Sequence, residues 1–184
     1  MTNVFIFHGT TGHPEENWFP WLRKELESLD CKVIIPQFPT PENQTLENWF
    51  KVFEKHQDLY VPDTILVGHS LGGAFSLRVL EKYNIVLKAA YFVATPVGIR
   101  PIKNWETDQP YIGHPFNWSR ITSHARKFYV FHSDNDPYVG IGNGEELARK
   151  LDVKLTFIPN AGHFNAVAGY TRFELLLDKI KLEL

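Results

Sequence analysis

Thr64-Ile65-Leu66-Val67-Gly68-His69-Ser70-Leu71-Gly72-Gly73-Ala74-Phe75-Ser76-Leu77 is the stretch that decides the fold. Its first part is an apolar, β-branched run, the composition of a strand buried on both faces. Beyond it, Leu71, Phe75, Val79 and Leu80 recur at the spacing of an amphipathic helix. The junction reads Gly68-His69-Ser70-Leu71-Gly72, a G-x-S-x-G turn between strand and helix. A strand that turns this sharply into a helix holds its serine at the apex in a strained backbone conformation. Side chains at 68 and 72 would clash across the turn, so both positions demand glycine. The start of the helix adds free N–H groups and a partial positive charge beside the serine. Ser70 is therefore the candidate nucleophile. A glycine-rich turn with an N-cap serine would use the same letters, but the flanking strand and helix favour the nucleophile.

The alternation of strand and helix recurs along the chain. Strands are expected at 3–8, 32–36, 64–69, 89–95, 127–132 and 154–158. Helices are expected at 18–29, 45–55, 70–83, 144–151 and 170–182. This pattern points to an α/β fold with a parallel sheet. Residues 96–124 fit neither pattern, with Pro96, Pro101, Pro110 and Pro115 among the aromatics Trp105, Tyr111, Phe116 and Trp118. They read as an irregular excursion with one short helix at 117–123. Its length suits a lid or a surface loop pinned by its aromatics.

A serine hydroxyl needs a base to remove its proton, and in this type of fold the order along the chain is Ser, Asp, His. His163 fits, in Asn160-Ala161-Gly162-His163-Phe164 just after the last expected strand. That places it at the C-terminal edge of the sheet, where open α/β sheets bind ligands. The imidazole needs a carboxylate to fix its tautomer. His132-Ser133-Asp134-Asn135-Asp136-Pro137 follows the fifth strand and offers two. Asp136 is favoured, because the residue before a proline is held extended. Asp134 is assigned to bonding backbone N–H groups of the turn. The oxyanion of the tetrahedral intermediate needs backbone donors. These are expected at Leu71, after the nucleophile, and at Thr10 in His8-Gly9-Thr10-Thr11-Gly12, with Thr11 as the alternative.

Other features point to no second chemistry. His8, His69 and His132 each end an expected strand. With no H-E-x-x-H helix and no Cys–His ligand spacing, they are read as loop supports or pocket walls, and no metal is expected. Gly140-Ile141-Gly142-Asn143-Gly144 lacks the Lys-Ser/Thr of a phosphate loop and reads as a flexible lead-in to a helix. Trp18, Trp21 and Trp49 are read as packing residues.

The 184 residues suit one domain spanning 1–184, with 43% hydrophobic and 22% charged residues and a net charge of −2. No basic arm suggests a nucleic-acid or anionic-lipid partner. The single cysteine, Cys31, forbids an internal disulfide and reads as a packing residue. The N-terminal stretch has no basic region, its apolar run is shorter than a signal-peptide core, and no stretch approaches a membrane span. A cytoplasmic monomer is the expectation.

Taken together, Val4-Phe5-Ile6-Phe7-His8-Gly9, Trp18-Phe19-Pro20-Trp21-Leu22, the elbow, Asp134-Asn135-Asp136-Pro137 and Gly162-His163-Phe164 resemble the YdeN-like and retinoblastoma-binding serine hydrolases. These are small single-domain members of the α/β-hydrolase superfamily. The tryptophan-rich helix start is the landmark of the YdeN-like branch, while the triad motifs belong to the wider superfamily. The resemblance implies a three-layer α/β-hydrolase sandwich of about six parallel strands in the order 2-1-3-4-5-6, with little cap. It also implies a Ser70-Asp136-His163 triad, no cofactor, and hydrolysis of small esters or amides. Retinoblastoma binding does not carry over: the L-x-C-x-E motif has no match, since Leu29-Asp30-Cys31-Lys32-Val33 ends in valine. The same triad could serve thioester hydrolysis, C–C cleavage or acyl transfer, and an interaction module could retain the site without turnover.

Overall fold

In the first strand, β1 (Asn3–Phe7), Val4 and Ile6 enter one hydrophobic core while Phe5 and Phe7 enter another, and all four are fully buried. Alternation with both faces buried is the mark of a strand inside a three-layer structure. The computed structural model, which describes residues 1–184, shows that structure throughout. Strands β2 (Lys32–Ile34), β3 (Ile65–His69), β4 (Ala89–Val93), β5 (Phe128–His132) and β6 (Leu155–Phe157) join β1 in one sheet. The order is β2-β1-β3-β4-β5-β6 and every pairing is parallel. This is the α/β-hydrolase sheet that the resemblance implied.

Helices α1 (Phe19–Glu27) and α7 (Glu174–Lys181) close the core that holds Val4, Ile6, Val67 and Tyr91. The other face is covered by α2 (Leu46–Glu54), α3 (Leu71–Lys82), α4 (Trp105–Ile112), α5 (Trp118–Ser123) and α6 (Gly142–Lys150). The chain runs outward from β1 to β2 and then returns to β3, so the sheet order switches between β1 and β3. A crevice opens outside the carboxyl ends of two such strands, and the loops after Phe7 and His69 both leave the sheet there.

The strand and helix expectations hold, with ends shifted by up to four residues. Two expectations need correction. Residues 96–124 contain two helices rather than one, because α4 precedes α5. Only Asp108, Tyr111 and Ile112 of α4 are buried, so its sequence carries no apolar repeat, and Pro110 lies inside it. The 140–144 glycine run is a fixed junction rather than a flexible lead-in. Fully buried Asn143 accepts from the Val97 and Ile99 N–H groups and donates to the Ile99 and Gly140 carbonyls.

Candidate active site

Ser70 lies at the end of β3 with φ 54° and ψ −128°, a conformation few non-glycine residues adopt. Its N–H is tied to the Val93 carbonyl at 2.9 Å. Packing enforces the turn. A Cβ on Gly68 would lie 2.4 Å from the Gly73 Cα, and one on Gly72 would lie 2.2 Å from the Phe7 carbonyl oxygen. These contacts are backbone against backbone and cannot be relieved by a rotamer change. The helix α3 therefore sits directly against β1 and β3, with the serine half-buried at the turn between β3 and α3.

His163 stands between two residues of positive φ, Gly162 at 56° and Phe164 at 50°. The segment after β5 holds that loop at four points. Asp134 Oδ1 accepts from the Asn160 N–H at 2.8 Å, Ser133 Oγ from Ala161 at 2.9 Å, and Asn135 Oδ1 from Gly162 at 2.7 Å. The fourth point is the ring itself: Asp136 Oδ2 lies 2.7 Å from His163 Nδ1. Asp134 thus bonds backbone, as its sequence position suggested, and Asp136 meets the imidazole. The side chain of Asp136 is fully buried. Burial alone would raise its pKa. The bond to His163 and the Tyr138 and Val139 N–H groups on Oδ1 outweigh burial and hold the carboxyl below its ordinary value. An ionised Asp136 makes Nδ1 the protonated nitrogen and leaves Nε2 with the lone pair a base needs.

The loop after β1 presses against the serine. A Cβ on Gly9 would lie 2.7 Å from the Ser70 Cβ and 3.4 Å from the Leu71 nitrogen. The Gly9 carbonyl accepts from the Gly12 N–H at 3.0 Å and lies 2.9 Å from His8 Nδ1. A trans peptide points its N–H opposite to its C=O. Fixing the Gly9 carbonyl inward therefore turns the Thr10 N–H outward. The Thr11 N–H is already taken by Thr40 Oγ1 at 2.6 Å, whereas the Thr10 N–H has no acceptor within the chain. Leu71 is the first residue of α3, so its N–H has no partner inside the helix. Of the two threonines weighed from the sequence, Thr10 is the one with a free donor.

The three strand-end histidines are loop supports. Phe38 N–H donates to His8 Nε2, which makes Nδ1 the donor to Gly9. His69 Nε2 is 2.8 Å from the His163 carbonyl, and His132 Nε2 is 2.9 Å from that of Val139. Burial is the main cause that lowers all three, His8 to about 4 and His69 to about 3. They remain neutral, so no fixed positive charge builds up beside the His163 ring. Trp18 is also a support, donating its Nε1–H to the Phe164 carbonyl at 3.0 Å.

Ser70, His163, Thr10 and Gly9 line one cavity of about 550 Å³. Its other walls carry the polar side chains of Asn17, Asn104, Asn165, Thr171, Glu15 and Glu16 beside Tyr138, Ala166 and Val167. Burial pushes the Glu16 carboxyl up, and no lysine or arginine lines the space. Tyr138 packs against the His163 ring at 4.8 Å between centroids. Sequence reading missed Tyr138, and it missed Ser133 and Asn135, although the run of small polar residues before Asp136 was the available signal. Of residues 96–124, Asn104 alone reaches the cavity, so that segment flanks the site and does not cover it.

A family model described as serine hydrolase matches residues 4–181. The chain is 26% identical over 175 residues to the hydrolase YdeN of Bacillus subtilis (strain 168), covering 95% of this chain and 92% of that protein. It is 28% identical over 170 residues to the serine hydrolase RBBP9 of Rattus norvegicus, covering 89% and 84%. The crystal structure of the B. subtilis ydeN product superposes with a TM-score of 0.92 at 26% identity, over 100% of this chain and 98% of that one.

Proposed function

The chain belongs to the serine hydrolase family, and from that premise we propose that Ser70 carries the acyl group, with His163 as general base and Asp136 as its orienting acid. The observation that carries the proposal is the 2.7 Å Asp136–His163 pair opening into the same cavity as a serine held at positive φ. Ser70 Oγ attacks the substrate carbonyl carbon while His163 Nε2 takes its proton. The oxygen of the tetrahedral intermediate becomes an anion beside the Leu71 and Thr10 N–H groups. As it collapses, His163 returns the proton to the leaving oxygen or nitrogen, and an ester to Ser70 remains. Water then attacks that ester, giving its proton to Nε2, and the acid product departs as Ser70 regains its hydrogen. Asp136 stabilises the imidazolium in both halves without itself accepting the proton.

The cavity favours short polar substrates, because Tyr138, Ala166 and Val167 are the hydrophobic residues among its walls and most of the others carry hydrogen-bonding side chains. A series of p-nitrophenyl esters from acetate to decanoate tests both parts. Turnover is expected to be highest at the short end, and Ser70→Ala should lower kcat by about 10⁴-fold or more. Undiminished turnover in Ser70→Ala would overturn the assignment, and a preference for decanoate would overturn the reading of the cavity.

A further inference from the structure

Thr10 is held from its side chain as well as from its backbone. Its Oγ1–H donates to Asp108 Oδ1 at 2.5 Å. Asp108 sits on α4, is only 2% exposed and forms no ion pair with a lysine or arginine. Gln44 completes the arrangement. Its Nε2 lies 3.1 Å from Thr10 Oγ1, 3.2 Å from Asp108 Oδ1 and 3.1 Å from the Thr107 carbonyl. Its Oε1 accepts from Thr40 Oγ1 at 2.5 Å, and Thr40 Oγ1 accepts the Thr11 N–H. The segment carrying Thr40 and Gln44 is itself fixed, since Phe38 stacks on Trp49 at 4.4 Å and Trp49 Nε1–H donates to the Pro39 carbonyl. Side chains from two distant parts of the chain, 40–44 and 107–108, thus close around residues 10 and 11.

A buried carboxylate without a cation is costly, and here the compensation comes from the Thr10 hydroxyl, the Gln44 amide and a longer contact with the Thr107 hydroxyl at 3.4 Å. The arrangement is therefore strongly biased toward one Thr10 rotamer and one orientation of the Gly9–Thr10 peptide. The His8 ring and the Gly12 N–H pin the carbonyl end of that peptide, and Asp108 pins the side chain that follows its N–H. We propose that Asp108, acting with Gln44, is a positioning residue that aims the Thr10 N–H at the developing oxyanion. This rests on the hydrolase reading above and adds to it a role for α4: the helix is a strut for the oxyanion loop, not a lid. Electrostatic stabilisation of this kind depends on donors that are already aimed before the charge develops, so loss of the strut should act on the transition state more than on the bound substrate.

The test is steady-state hydrolysis of p-nitrophenyl acetate, expressed per Ser70 titrated to completion with a fluorophosphonate. Thr10→Val keeps the volume and removes the hydroxyl, and Thr10→Ser restores it. Thr10→Val and Gln44→Met are each expected to lower kcat about 10- to 100-fold, a part of the effect of deleting an oxyanion donor, with KM changed less than about twofold. Thr10→Ser should stay within about threefold of the parent. Lys127→Met, which removes a surface ion pair with Glu183 at the opposite edge of the sheet, should leave kcat per titrated serine unchanged. If Thr10→Val does not fold, Gln44→Met alone decides. Wild-type kcat per titrated site in a folded Thr10→Val or Gln44→Met protein would overturn the proposal, however much their melting temperatures fell. A parent protein that neither labels nor turns over would instead overturn the hydrolase reading itself.

Discussion

Asp136 divides its two oxygens between tasks, Oδ1 for the Tyr138 and Val139 N–H groups and Oδ2 for the His163 ring. Asp136→Asn can keep the first task with its remaining oxygen, but its NH₂ would then face Nδ1. That reverses the tautomer and puts the proton on the nitrogen that must act as base. The expected result is a folded protein with kcat lowered about 10³- to 10⁴-fold, checked by stopped-assay kinetics beside a near-ultraviolet spectrum. The three proposed triad positions were legible in the sequence because each lies in a short motif at the end of a strand. Asp108 and Gln44 were not, because the contacts that define them span 98 and 34 residues and no local pattern encodes them.

Among the elements, the elbow shows how little freedom the turn has. Gly72→Ala would force its Cβ to 2.2 Å from the Phe7 carbonyl oxygen, which only a shift of α3 away from β1 relieves. The expected cost is about 3 kcal/mol or more, above the ordinary range for overpacking because backbone must move, read from urea denaturation. The strut side is tied to α3 by Arg78. Its guanidinium donates to the Tyr111, His114 and Pro115 carbonyls and pairs with Glu81 at 2.8 Å, both side chains largely buried. Arg78→Met should cost about 3 kcal/mol and speed amide exchange across 111–123 more than in the sheet. Strands and long helices could be read from periodicity alone. The helix α4 could not, since it is anchored by one carboxylate, two apolar residues and the carbonyls after it, and not by an apolar stripe.

For the molecule as a whole, the sheet order brings loops from β1, β3, β5 and β6 to one edge, and the supporting histidines are buried in the process. Their folded pKa values lie well below the unfolded value of about 6.5, at about 4 for His8 and about 3 for His69. Stability is therefore fully present above pH ~6.5 and is lost as pH falls toward those values, because the unfolded chain binds protons that the fold refuses. Each histidine contributes a slope of about 1.4 kcal/mol per pH unit across that window. Asp136, whose pKa is lowered, acts in the same sense at lower pH, with its contribution present above about 4 and lost as the carboxylate protonates. Denaturant midpoints should fall between pH 7 and pH 5, and a flat profile would contradict neutral burial of these rings. Parallel pairing was legible from the apolar strands, but the strand order came from resemblance, since periodicity says nothing about which strand lies beside which. The most direct test of the central claim is covalent labelling of the folded protein with a fluorophosphonate, followed by peptide mapping. The expected result is one adduct per chain, on Ser70, lost in Ser70→Ala and formed far more slowly in His163→Ala. A folded protein that stays unlabelled, or that takes the label on another side chain, would contradict the assignment of Ser70 as the activated nucleophile.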